Sequence, residues 1–118
     1  MKKFALLLVL SAFTLLADVT GKWSGVARTG DGEEQTVFLI FKQDGNTLTG
    51  SGGPNEETQR AMESGTVEGD RLKFKVPASK GVIWFDLKTV GDEINGEAQF
   101  KKDDGDAMLV KVALKKVK

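Results

Sequence analysis

Three carboxylates fall within four residues in the stretch KKDDGDA, as Asp103, Asp104 and Asp106. Oxygen donors this dense could serve a hard cation such as Ca²⁺. Their order lacks the Asp-x-Asp-x-Asp-Gly spacing of a calcium loop, so a solvated turn is the expectation. The pairs Glu33-Glu34 and Glu56-Glu57 read the same way. What the chain lacks is more decisive: it has no His, no Cys and no Tyr. A histidine general base, a cysteine nucleophile, a Ser-His-Asp triad and the usual zinc sites are therefore excluded. Any catalysis would have to run on carboxylates, Lys, Ser or Thr. The sequence reads as a non-enzyme with no cofactor and no metal.

The 118 residues carry 17 basic and 17 acidic side chains, which fits one domain with no charge excess. Lys2 and Lys3 precede an uncharged apolar run, FALLLVLSAFTLLA, from Phe4 to Ala17. This is the layout of a secretory signal peptide, and it is short of the roughly 20 residues of a membrane span. The expected division is a leader over 1–17 and a single exported domain over 18–118, periplasmic or extracellular, with no stable membrane span after cleavage. No cysteine follows the run, so a bacterial lipoprotein anchor is not expected. Without Lys2 and Lys3, 15 basic residues face 17 acidic ones, a net charge of −2. Nothing in that balance attracts a phosphate backbone, so no nucleic-acid partner is expected. The C-terminal KVALKKVK, which could touch an anionic surface, reads as a solvated strand end.

A four-residue phrase recurs along the domain: Gly45-Asn46-Thr47-Leu48, Gly69-Asp70-Arg71-Leu72 and Gly91-Asp92-Glu93-Ile94. Glycine beside Asn or Asp supplies the positive φ of a tight hairpin, and the apolar residue after it starts a strand. Alternating sequence flanks every copy, and period-two alternation is the strand signal. Counting strands gives eight, near 21–28, 34–43, 46–51, 62–68, 71–76, 81–90, 93–101 and 107–116. Short connections favour antiparallel neighbours. The expectation is all-β: an eight-stranded antiparallel up-and-down meander closing into a small barrel, which hides its edges, with a flattened β-sandwich as the alternative. Residues 52–64 interrupt the meander. Pro54, Glu56 and Glu57 ahead of Arg60 predict a mobile loop with some helical character.

The alternation also predicts faces. Leu72, Phe74 and Val76 point inward, as do Ile83, Phe85 and Leu87, then Ile94, Gly96, Ala98 and Phe100, then Met108, Val110, Val112 and Leu114. Two strands carry apolar residues on both faces. Phe38 and Ile40 oppose the inward Val37, Leu39 and Phe41, and Val82 and Trp84 flank Ile83 and Phe85. Phe38, Ile40, Val82 and Trp84 form the candidate interaction patch, for self-association or a protein partner; otherwise the 52–64 loop covers them, or the two faces are reversed locally.

TGKWSG opens the domain at 20–25. Gly21-x-Trp23 at the head of the first strand resembles the opening motif of the lipocalin and avidin-like (calycin-type) barrels. That resemblance implies that Trp23 packs across the closed end, as a structural motif with Gly21. More closely, the chain resembles a group of short exported bacterial β-domains with Gly-x-Trp, then Lys-Gln-Asp-Gly-x-x-Leu-x-Gly, then Gly-Asp-x-Ile/Leu turns. Here these are Gly21 to Trp23, Lys42 to Gly50, Gly69 to Leu72 and Gly91 to Ile94. The resemblance implies a fold and export, and it assigns no activity. Lipocalins are usually longer, and an avidin-like biotin site uses tyrosine and several tryptophans. This chain has only Trp23 and Trp84, so biotin binding does not carry over.

Two functions follow as expectations. The first is a non-catalytic interaction or structural module of the cell envelope or exterior. The alternative is a small lipocalin-like binder of an apolar molecule at the barrel mouth. With Phe41, Phe74, Phe85 and Phe100 all inward, a filled interior is expected.

Overall fold

A computed structural model describes residues 18–117. The expected leader over 1–17 and the last residue lie outside the described residues. The strands run β1 (Gly21–Thr29), β2 (Glu34–Asp44), β3 (Thr47–Gly53), β4 (Arg60–Ala61), β5 (Glu63–Glu68), β6 (Arg71–Ala78), β7 (Gly81–Val90), β8 (Glu93–Lys102) and β9 (Ala107–Lys116). All pairings are antiparallel. The sheet order is β2-β1-β9-β8-β7-β6-β5-β3-β4, and β2 also pairs with β3. That last pairing and the β1–β9 pairing close the sheet, so the fold is an eight-stranded up-and-down barrel with β4 as an extra two-residue strand. The sandwich alternative is thereby set aside.

The three repeated phrases form the two-residue turns at one end of the barrel. Gly45, Gly69 and Gly91 each sit at φ +62°, while the following Asn46, Asp70 and Asp92 keep negative φ. Only the glycine is left-handed, the pattern of a type II′ hairpin with glycine at its first central position. The turns also cross-link this end. Val67 N–H donates to the Asn46 carbonyl at 2.9 Å, and Thr89 N–H to the Asp70 carbonyl at 2.8 Å.

The weakest seam lies between β3 and β5, where only Thr47–Thr66 and Leu48–Gly65 are in register. Farther along β3, Ser51 and Gly52 pair instead with Ala61 and Arg60 of β4. A bulge separates the two stretches: Glu63 opposes Lys75 and Thr66 opposes Lys73, with Ser64 at φ +56° between them. The extra residue bends the strand and increases its local twist.

The expected helical character in 52–64 does not appear. Ser51 to Gly53 finish β3, and the bends over 54–59 are held by side chains rather than by helical bonds. The Asn55 carboxamide oxygen accepts from Glu57 N–H at 3.0 Å and Thr58 N–H at 2.8 Å. An Asx turn of this kind gives the backbone an alternative to a helix.

The alternation sorts the faces as expected. Leu39, Phe41, Leu72, Phe74, Val76, Phe85, Leu87, Ile94, Ala98, Val112 and Leu114 are buried inside, and among the described residues no polar side chain is buried with them. The outer face carries exposed ion pairs such as Arg71–Asp86 at 3.1 Å and Lys88–Asp70 at 3.8 Å. Such pairs add little stability.

A candidate ligand cavity at the open end of the barrel

The two ends of the barrel are built from different side chains. Along β1 the inward series runs Trp23, Gly25, Ala27, Thr29, and along β3 it runs Leu48, Gly50, Gly52. Along β8 it runs Ile94, Gly96, Ala98, Phe100, Lys102. On β1 and β3 the large residues lie at the end of the tight turns and the small ones toward the other end, whereas β8 is small at its middle and carries Phe100 and Lys102 to the open rim.

The closed end is plugged. Trp23 is buried, and its indole N–H donates to the Val19 carbonyl at 2.9 Å. Val19 N–H donates to the Gln43 side-chain oxygen at 3.0 Å, and Gln43 N–H to the Thr20 hydroxyl at 3.0 Å. Lys116, opposite Trp23 in the register, donates to the Thr20 carbonyl at 2.9 Å and sits 5.6 Å above the indole ring. Trp23 of the Gly-x-Trp sequence is thus buried and hydrogen-bonded at this end of the barrel.

A floor of three aromatic rings crosses the middle. Phe41 meets Phe74 edge-on, with centroids 5.5 Å apart and planes at 75°. Phe74 stacks on Phe85 at 4.6 Å and 14°. Beyond this floor the interior is open, which corrects the expectation of a filled core. The three rings occupy one level and so fill one level. Phe100, the fourth inward phenylalanine, stands at the rim and is only half-buried. The resulting cavity measures about 500 Å³, within the range of roughly 300–1,000 Å³ typical of small-molecule sites. Its wall is Ala27, Val37, Leu39, Val76, Ile83, Phe85, Ala98, Val110 and Val112, with Met108 at the mouth. Two charged side chains, Arg60 and Lys102, line it, and no carboxylate does.

The acidic residues that drew attention in the sequence lie in the connections around this mouth or, for Glu34, at the start of β2, and none is in its wall. Asp31 accepts from the Thr29 hydroxyl and from Glu33 N–H. These bonds, the hydroxyl first, hold its carboxyl below the usual carboxylate value. Asp104 accepts from Asp106 N–H at 3.0 Å, closing the KDDGDA turn on itself. Among the described residues, no group of three or more Asp or Glu side chains converges as a metal site would.

The four residues of the outer patch are all on the outer face, but in two places. β2 and β7 are four strands apart in either direction around the barrel, so Phe38 and Ile40 lie opposite Val82 and Trp84. Phe38 and Ile40 are half-buried under the 54–59 segment. Gln59 donates to the Phe38 carbonyl at 3.1 Å, and Glu56 pairs with Lys22, which is in register with Ile40. Trp84 remains 44% exposed, with the ammonium groups of Lys75 and Lys101 at 5.0 and 5.1 Å from its ring centre. Leu109, two strands along the same register row, is 55% exposed.

Arg60 and Lys102 were missed in the sequence, although a signal exists for Lys102. Lys102 continues the inward series of β8 by one more step. Arg60 is in register with the buried Gly52, a pairing visible only once β4 is known. Comparison with family models, with curated proteins and with solved structures returns no match, so the interpretation of this site rests on its own geometry.

Proposed function

We propose that this protein is a non-catalytic, exported binder of a small apolar molecule, lipocalin-like in its architecture, with the open half of the barrel as its site. The observation that carries this is the cavity of about 500 Å³, walled by aliphatic and aromatic side chains above the Phe41–Phe74–Phe85 floor. A preformed apolar hollow with few polar groups at its edge is the usual form of a small-molecule site. Export is proposed from the basic start and the uncharged run Phe4 to Ala17.

A bulky residue at Ala27 tests the reading, because Ala27 lines the cavity and has room in front of it. An uncharged fluorescent probe, N-phenyl-1-naphthylamine, should bind the parent saturably. Ala27→Trp should weaken that binding about tenfold or more while leaving the melting temperature unchanged or higher, since filling a cavity without strain stabilises. Equal binding by the folded variant would remove the cavity from the account.

The second reading is a structural or interaction module of the cell envelope. It is favoured by Trp84 and Leu109, exposed together on the outer wall. Tryptophan is enriched among the residues that carry binding energy at the centre of protein interfaces.

A further inference from the structure

We infer that the ligand is a single-chain amphiphile with an anionic head, its tail in the cavity and its head held at the mouth between Lys102 and Arg60; this rests on the reading of the cavity as a ligand site. The two ends of the barrel make the argument. Each has an inward-row lysine. At the closed end Lys116 is engaged, on the Thr20 carbonyl and over the Trp23 ring. At the open end Lys102 is half-buried against an apolar wall and forms no ion pair among the described residues. Arg60 reaches the same mouth from β4, which pairs with β3, and likewise has no carboxylate partner among the described residues.

A lysine and an arginine at the mouth of a largely apolar cavity stabilise a negative charge placed between them, and beside the half-buried Lys102 the apolar surroundings strengthen the attraction relative to bulk water, while Arg60 is exposed at the rim. The acids of the rim do not reverse this. Asp31 and Asp104 accept hydrogen bonds within their own turns. Asp103, Asp106 and Glu33 are exposed on those turns and are not in the wall. From Ala98 at floor level to Lys102 at the mouth is four residues of β8, roughly 13 Å of extended strand. That depth suits an alkyl chain entering end-on.

The test uses three twelve-carbon probes below their micelle concentrations, measured by isothermal titration calorimetry at low and moderate salt: dodecanoate, dodecanol and dodecyltrimethylammonium. Dodecanoate should bind about five- to tenfold more tightly than dodecanol, and dodecyltrimethylammonium most weakly, with the dodecanoate advantage shrinking as salt rises. Lys102→Gln and Arg60→Gln should each shrink the ratio of dodecanoate to dodecanol affinity, and the double variant should bring that ratio to about one, while the melting temperature stays at the parent value. Equal affinity of the parent for dodecanoate and dodecanol overturns the anionic head and leaves the apolar cavity standing, as does a double variant that keeps the preference. Tightest binding of the ammonium probe also overturns it. Failure of all three probes to bind removes the cavity reading itself.

Discussion

Phe74→Ala should lower the unfolding free energy by about 3–5 kcal/mol, the usual cost of truncating a fully buried aromatic. Phe74 is 2% exposed and is the central ring of the floor, touching Phe41 on one side and Phe85 on the other. Aromatic pairs in edge-on and stacked arrangements contribute about 0.5–1.5 kcal/mol beyond their buried area, and this substitution breaks two of them. Neighbouring rings held by closed strands cannot collapse far into the gap, so most of the cavity cost remains. A domain of this size has a total stability of about 5–15 kcal/mol, so the variant should be close to its limit. Urea unfolding followed by tryptophan fluorescence measures the change. A loss below about 1 kcal/mol would mean that the rings do not form one packed layer.

Trp23→Ala should cost as much, about 3–5 kcal/mol, and for a second reason as well. The indole both fills the closed end and supplies the N–H that the Val19 carbonyl accepts at 2.9 Å. Leaving a buried acceptor without its donor adds about 1–3 kcal/mol to the lost packing, unless water reaches it. Trp23→Phe separates the two contributions: it keeps most of the ring and loses the bond, so its cost should be the smaller. Trp84→Ala is the matched control, because Trp84 is 44% exposed on the outer face, with two lysine ammonium groups over its ring. It should cost about 1 kcal/mol, since each exposed cation–π contact contributes about 0.5–1 kcal/mol. Thermal and urea melts of the three variants check the order. If Trp84→Ala destabilised more than Trp23→Ala, the inner and outer faces would be reversed.

The architecture was legible because it depends on local signals. Glycine at 45, 69 and 91, followed by Asn or Asp and an apolar residue, specifies hairpins through backbone sterics alone. Alternation then fixes which side chains turn inward, as at Leu72, Phe74 and Val76. The cavity was not legible in the same way, because it depends on which inward residues share a level, and level is a property of register between strands. Phe41, Phe74 and Phe85 are up to 44 residues apart in the chain, yet they share one layer. Counting them without register predicted a filled barrel. The 54–59 segment forms no helix although Asn55 accepts from Glu57 and Thr58 N–H as a helix cap would; the chain has to turn back within six residues of Gly53 to pair Arg60 with Gly52. The outer patch divided for a topological reason: alternation tells a residue's face and says nothing of which side of a closed barrel its strand occupies.

An apolar ligand should enter the open half of this barrel and leave its outer wall untouched. Methyl chemical-shift mapping during titration with dodecanol tests it most directly, since the probe is uncharged and the measurement does not depend on Lys102 or Arg60. The account predicts saturable shifts at Val37, Ile83, Val110 and Met108, which line the cavity, with Leu72, Ile94 and Leu114 of the closed half left in place. Shifts confined to Leu109, Val82 and the Trp84 indole would place the ligand on the outer surface, and an absence of saturable shifts at the cavity methyls would contradict the account.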